Sequence, residues 1–460
     1  MSDRRAIAPA QSLHMQAPNP LLVGPILPTL LRLSLPNMIS MLATTVVAIV
    51  ETIYVGQLGT PALAGMALVF PMVMLQQMMS AGAMGGGISS AISRALGAGD
   101  EARAQALALH ATIIGATAGV VFMILFLSAG GAIYAALGGR GPALGEAIVY
   151  SNIVFLGALG IWLCNTFASV LRGGGNMKLP SATLIVVAAA QIVIGGGLGL
   201  GIGPLPRLGM VGVGLGQAIA YTGGAVFFFT RLRSETARVK LRFAEQTLDG
   251  AMFRDILKVG ALACVSPLQS VLTVLILTRL VAHFGTEALA GYGIGARLEF
   301  LLIPITFAIG VACVPMVGMA IGAGLVERAR RVAWTGGALA GAIIGAIGLV
   351  FVAAPQLWAE RFSADPAVLA AAQSYLVASG LGYGFFGLGM ALYFSSQGAG
   401  KVLGPVLAGT SRLFVVAFGG LALAMANAPA WTMFALVGLG MAVYGLATAG
   451  AIYVTRWGRV

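Results

Sequence analysis

The sequence predicts an all-α polytopic membrane protein. Twelve transmembrane helices form two six-helix lobes, related by a pseudo-two-fold axis along the membrane normal. Three observations carry this. The 460 residues are 59% hydrophobic and only 9% charged, whereas soluble domains carry about 25% charged residues. Apolar runs of 18 or more residues recur from end to end, long enough to cross a bilayer as helices. Three sequence blocks reappear in order in the second half of the chain, which marks an internal duplication. A β-barrel is excluded because the apolar segments are continuous rather than alternating.

The elements follow in order. Residues 1–30 carry Arg4 and Arg5 but no apolar core before Pro18 and Pro20. They read as a disordered cytoplasmic tail, not a cleaved signal. Six spans fill an N-terminal lobe, 31–230, at 36–56, 63–92, 104–128, 147–169, 180–202 and 209–230. A polar stretch at 231–258 has mixed charge and reads as a solvated linker. A lipid-contacting amphipathic helix around 241–257 is the alternative. The C-terminal lobe, 259–460, holds spans at 259–283, 288–320, 334–354, 367–393, 403–425 and 430–455. Pro71 and Pro304 fall inside spans and are expected to bend them.

The duplication is legible at three places. Gly59-Thr60-Pro61-Ala62-Leu63-Ala64-Gly65 returns as Gly285-Thr286-Glu287-Ala288-Leu289-Ala290-Gly291, 226 residues later. Gly97-Ala98-Gly99 with Arg103-Ala104 returns as Gly322-Ala323-Gly324 with Arg328-Ala329, 225 residues later. Gly173, Gly175 and Pro180 answer to Gly398, Gly400 and Pro405, at the same offset. Each half holds an even number of spans, so both enter the membrane in one direction and face each other across a central cleft.

Net charge is +12, but it does not point to nucleic acid. Twenty of the 26 basic residues lie in connections on one side, four on the other, and Arg297 and Arg412 within spans. That bias places both termini in the cytoplasm. Cys164, Cys264 and Cys313 lie in apolar runs without metal-ligand spacing and read as reduced. The runs Gly85-Gly86-Gly87, Gly97-Ala98-Gly99 and Gly173-Gly174-Gly175 lack the Lys-Ser/Thr of a phosphate loop and read as close helix contacts and turns. No nucleophile–base or metal constellation is present, so an enzyme is not expected, and no cofactor is implied.

Glu51 is the residue of most interest. It lies inside the first apolar run, with no Lys, Arg or His between Arg32 and Arg94. An acid away from water is costly and is a functional hypothesis by default. It would bind a proton or cation and release it when the cavity changes exposure. The competing reading is an acid tied to a hydroxyl such as Thr44, Thr45 or Thr52 for packing alone. Asn37, Asn165 and Gln191 either complete a site around Glu51 or only hydrogen-bond neighbouring helices. Glu299 is the other acid well inside a span, with Arg297 two residues away. Arg297 points to a different helix face, so either residue would pair with another helix; structural pairing is the first reading of Glu299, and a further cation site the second. Met66, Met74 and Met78 in span 2, and Tyr383 and Phe386 in span 10, are candidate cavity residues for a soft, aromatic-cation site. Packing is the competing role for each. His110 and His283 read as interfacial.

Glu51-Thr52-Ile53-Tyr54-Val55-Gly56-Gln57-Leu58-Gly59 with Ala62-Leu63-Ala64 resembles the first-span signature of the multidrug and toxic compound extrusion (MATE) transporters. So do Ser93-Arg94-Ala95-Leu96-Gly97-Ala98-Gly99-Asp100, Leu171-Arg172-Gly173-Gly174-Gly175, and Arg297-Leu298-Glu299 ahead of Gly322-Ala323-Gly324. The match runs over essentially the whole chain after residue 30. The resemblance implies an exporter of the inner membrane that exchanges cationic amphiphiles for protons or sodium ions. Such a carrier has organic cations and the bilayer as partners, no nucleic acid, and is expected to be monomeric.

Departures from the family pattern narrow this. The family usually has Asp where Glu51 stands. One branch has an Asn-x-x-x-Asp pattern in the fifth span, and the nearest match here is Gln191 with Gly195. Another branch uses acids in spans seven and ten, but 262–277 and 375–396 contain no Asp or Glu. A hard cation prefers several oxygen ligands, so a proton is expected over sodium. The rival function is a lipid-linked oligosaccharide flippase, which would line its cavity with Arg and Lys. An ion channel is a further alternative.

Overall fold

The computed structural model describes residues 19–243 and 247–458. It is helical throughout, and no strand occurs among the described residues. Ten helices are long and apolar enough to cross a membrane, or twelve when two bent pairs each count as one span. Spans 1 to 6 are Ile26–Gly56, Thr60–Gly97, Glu101–Ala136, the pair Gly141–Leu156 and Ala158–Gly173, Lys178–Leu200, and Met210–Arg233. Spans 7 to 12 are Gly250–Ala282, Thr286–Gly322, Val326–Ala353, the pair Pro366–Gly380 and Tyr383–Gly398, Leu403–Met425, and Ala430–Val454.

The repeated glycines recur for a conformational reason. Gly99 and Gly324 end spans 2 and 8 at φ +77° and +75°, and Gly175 and Gly400 end spans 4 and 10 at +87° and +70°. Each closes its helix with a six-to-one bond: Asp100 N to Ala95 O, Leu325 N to Ala320 O, Asn176 N to Leu171 O, and Lys401 N to Ser396 O. A left-handed residue is needed at each, and glycine takes it without penalty.

The helix breaks do not fall at the prolines. Pro71 lies within Thr60–Gln77, and Pro304 within the continuous helix Thr286–Gly322. The bends of 47° and 51° fall in spans 4 and 10, at Gly157 and at Leu381–Gly382. Gly157 and Gly382 are again 225 residues apart, and each lets a neighbouring span close in. A side-chain carbon at Gly157 would lie 2.6 Å from Ala218 Cβ, and one at Gly382 would lie 2.7 Å from Gly438 O. Span 2 also changes pitch, through a π-helical turn at Met78–Met84.

Two boundaries differ from expectation. The tail expected through residue 30 lies outside the described residues only up to 18. Pro20–Val23 forms a helical turn, and span 1 is helical from Ile26. Arg328 of span 9 fixes that turn, donating to Leu21 O at 3.2 Å and Gly24 O at 2.6 Å. Nor is the linker simply solvated. Val239 and Leu241 are buried, Arg238 donates to Gly174 O at 3.1 Å, and helix resumes at Gly250. Alternating apolar residues draw the strand-like polar stretch back onto the N-terminal lobe.

Spans 1 and 7 each cross between lobes. The start of span 1 packs on the C-terminal lobe, where Leu30 covers Gly336. Gly260 in the first half of span 7 abuts Gly87 of span 2, so close that a side-chain carbon on Gly87 would lie 2.6 Å from Gly260 N. His110, expected at an interface, is fully buried and serves this junction. Its Nδ1 faces Ala106 O at 2.7 Å, while Nε2 accepts the Asp249 N–H at 2.9 Å.

Toward the face bearing the start of span 1 and the end of span 12, one apolar core runs through both lobes, from Ile92 and Phe167 to Met316 and Ile452. Toward the opposite face it divides. One core gathers Tyr54, Val69, Phe155 and Val213 in the N-terminal lobe. The other gathers Leu277, Leu298, Leu376 and Val437 in the C-terminal lobe. The lobes are therefore joined at the terminal face and part above it, leaving a cleft.

Candidate functional site

Glu51 lies five residues before the end of span 1 at Gly56, inside the N-terminal lobe and 5% exposed. Span 1 brings it against span 5, where Gln191 Nε2 donates to its Oε1 at 2.7 Å. Tyr54, one turn on, donates its hydroxyl to the same oxygen at 3.3 Å. Both partners are neutral, so the carboxylate is solvated by dipoles rather than neutralised by a cation. Thr44, Thr45 and Thr52 do not hold it. Their hydroxyls bond back to Met41 O, Met41 O and Ala48 O on their own helix.

The missing acid of span 5 has a physical counterpart. At Gly195 a side-chain carbon would lie 2.9 Å from Tyr54 Oη. The space that an Asp would fill there is taken by the Tyr54 hydroxyl. Tyr54 was not foreseen as a site residue, although its i, i+3 spacing from Glu51 was the signal available.

Of the three polar neighbours expected around Glu51, only Gln191 reaches it. Asn165 instead donates to Gln77 Oε1 at 2.9 Å and Ser80 Oγ at 2.8 Å, and Gln77 donates to the Tyr221 hydroxyl at 2.7 Å. This network ties spans 4 and 6 to the π-helical turn of span 2. Asn37 is fourteen residues earlier on span 1, roughly 21 Å along the helix from Glu51. It is fully buried with both amide atoms unbonded.

In the C-terminal lobe, Glu299 and Arg297 form no ion pair with each other. Two residues apart on a helix, they point roughly 200° away from each other. Glu299 accepts the Tyr375 hydroxyl of span 10. Arg297 is exposed and stands over the Phe362 ring, 5.3 Å from its centroid. Tyr150 and Tyr375 are 225 residues apart, so the duplication places a buried tyrosine on the same span of each lobe, near each acid's own core.

The cavity candidates divide. Met66 and Tyr383 are 6% and 1% exposed and fill the two lobe cores, Tyr383 with its hydroxyl accepting from Ser379 and facing Glu299. Both lie on core-facing turns that a count of methionines or aromatics could not resolve. Met78 is half-buried in the π-helical turn, and Phe386 is half-buried beneath Arg412, 5.4 Å from ring centroid to Cζ. Met74 is exposed. All three cysteines are buried and free. Among the described residues no group of three or more His, Cys, Asp or Glu is placed to hold a metal ion.

The model of the MatE family matches this chain twice, at residues 36–195 and 263–420. The chain belongs to the MatE family. Two matches, one in each lobe, follow the duplication read from the glycine blocks. As a MatE protein it is a multi-pass membrane transporter. It is similar to the FAD transporter of Shewanella oneidensis, 26% identical over 80% of this chain and 81% of that protein. It is similar also to the multidrug export protein MepA of Staphylococcus aureus, 25% identical over 84% of this chain and 85% of that one. Among solved structures, a MOP superfamily transporter from Pyrococcus furiosus superposes with a TM-score of 0.86, covering 94% of this chain and 97% of the other at 22% identity. That likeness establishes the two-lobed fold.

Proposed function

We propose that this MatE protein is a proton-coupled exporter of organic cations in the cytoplasmic membrane, with both termini inside. The observation that carries the reading is Glu51, a buried acid whose hydrogen-bond donors among the described residues are Gln191 and Tyr54. A group so placed changes its charge cheaply when the lobes rearrange, because no fixed cation holds it ionised. One carboxylate, one amide and one phenol make a sparse cage for sodium, which takes several oxygen ligands at close range.

The excess of basic residues on the terminal face supports its assignment to the cytoplasm. The joined lobes then close the inner side, and the cleft opens outward. In that state Glu51 takes up a proton and cargo is displaced. Rocking would carry the proton to the inner side, where its loss prepares the cleft for new cargo. The name of MepA supports multidrug export; that of the other relative gives FAD as that protein's cargo.

The test is Glu51→Gln in proteoliposomes under an imposed pH gradient, with ethidium as cargo. The variant should fold and lose ethidium-dependent proton movement. Undiminished export by Glu51→Gln removes this residue from the mechanism. A sodium gradient alone, applied to the wild type, should drive no export; export under it replaces the proton with sodium.

A further inference from the structure

We infer that the C-terminal wall of the cleft binds an acidic group of the cargo through Arg297, so that aromatic carboxylates and phosphates belong to the substrate range. This rests on the exporter reading and adds a second charge preference to it.

Position comes first. Gly322 is 25 residues beyond Arg297 on the same continuous helix, only about 20° round its axis at 100° per residue. Gly322 abuts the N-terminal lobe, where a side-chain carbon would lie 2.0 Å from Arg94 O, and Gly318 abuts Ser93 on nearly the same side. Counted back at this pitch, Arg297 falls on the sector of span 8 that meets the N-terminal lobe lower down. It lies eleven residues below the outer end of span 8, about 16 Å along the helix, at a level where the two cores have already divided.

Availability comes second. Arg297 forms no ion pair among the described residues. The acid nearest in sequence, Glu299, is turned into the lobe and engaged by Tyr375. Its guanidinium carbon stands over the Phe362 ring at 5.3 Å from the centroid, a contact with carbon alone that occupies none of the N–H donors a carboxylate or phosphate would take. Phe362 is itself held in place: it packs on Trp358 at 5.0 Å between centroids, and Trp358 Nε1 donates to Ile294 O at 2.9 Å. The arginine is thus pre-oriented before any ligand arrives.

Room comes third. Gly293 is one turn above Arg297 on the same side, and a side-chain carbon there would meet nothing within 4 Å. One turn below, Phe300 is 50% exposed. An aromatic ring can lie over Gly293 and Phe300 with its acidic substituent in the arginine fork. An exposed guanidinium at membrane depth is costly to keep, and a bidentate anion offsets that cost.

The test uses purified full-length protein and two dyes of opposite charge, carboxyfluorescein and ethidium, read by fluorescence anisotropy. Wild type should bind carboxyfluorescein. Arg297→Gln should weaken it at least tenfold, Arg297→Lys should restore part of the loss, and Gly293→Phe should weaken it by filling the space. Arg361→Gln removes an equal charge beside the platform and should change carboxyfluorescein affinity less than twofold. Equal losses in Arg361→Gln and Arg297→Gln would show a diffuse field and overturn the site. Carboxyfluorescein affinity unchanged in a folded, monodisperse Arg297→Gln overturns it as well. A wild type that exports ethidium but does not bind carboxyfluorescein overturns this inference alone, whereas one that exports neither dye overturns the exporter reading with it.

Discussion

At the scale of single residues, the Glu51 site is governed by which dipoles surround a buried charge. The Gln191 amide is the closer donor, at 2.7 Å against 3.3 Å for the Tyr54 hydroxyl. Gln191→Leu should therefore lower stability by about 1–3 kcal/mol, and Tyr54→Phe by less, in thermal unfolding of the detergent-solubilised protein. A larger loss in Tyr54→Phe would reverse the ranking. The exchange of an acid on span 5 for a hydroxyl on span 1 is also testable. Gly195→Asp should destabilise on its own, because the new side chain meets Tyr54 Oη. Combined with Tyr54→Ala it should recover, giving a coupling energy of about 1 kcal/mol or more in a double-mutant cycle. Simple additivity would mean that the two positions do not share one space. The sequence made Glu51 conspicuous through its isolation, and it offered Gln191 among three polar candidates. It did not separate Gln191 from Asn37 and Asn165, since depth along a helix and the partner across the lobe are tertiary facts.

At the scale of elements, the duplication sets helix ends and bends in matched pairs. Small residues at the bends let spans 4 and 6, and spans 10 and 12, approach to backbone distance. A larger residue must push them apart. Gly157→Leu and Gly382→Leu should each cost about 1–3 kcal/mol through overpacking, seen as parallel drops in melting temperature. A loss confined to one lobe would show that the two bends are not equivalent in use. The glycine repeats were visible in the sequence as spacing, but the bends were assigned to Pro71 and Pro304. Proline signals a local defect in the bond ladder, yet span 8 continues as helix through Pro304. Glycine at 157 and 382 signals nothing until the partner helix is present.

At the scale of the whole molecule, the closed terminal face is a latch between the lobes. Asp255, from the first half of span 7, takes Arg94 Nη2 at 2.6 Å and Arg103 Nη2 at 2.9 Å. Ser90 donates to Gln397 O beside them, and a side-chain carbon at Gly97 would lie 2.1 Å from Met319 O. Partly exposed pairs are worth roughly 1 kcal/mol, so Asp255→Asn should shift the closed-to-open ratio about fivefold. Gly97→Ala should shift it further, since backbone cannot yield to the added carbon. Spin labels at Glu101 and Leu325, read by double electron–electron resonance, should show the longer distance gaining population in both variants. No change in either would place the closure elsewhere.

The sequence by itself determined the twelve spans, the two halves, the family and the isolated acid of span 1. Each of these is written in local terms: apolar length, repeated spacing and a charge where charge is expensive. Only the tertiary structure decided who stands beside that acid, where the helices break, and that Tyr375 engages Glu299 while Arg297 stands over Phe362. Those outcomes depend on which helix faces meet, and two residues two apart share a neighbourhood in sequence while facing opposite sides of a helix.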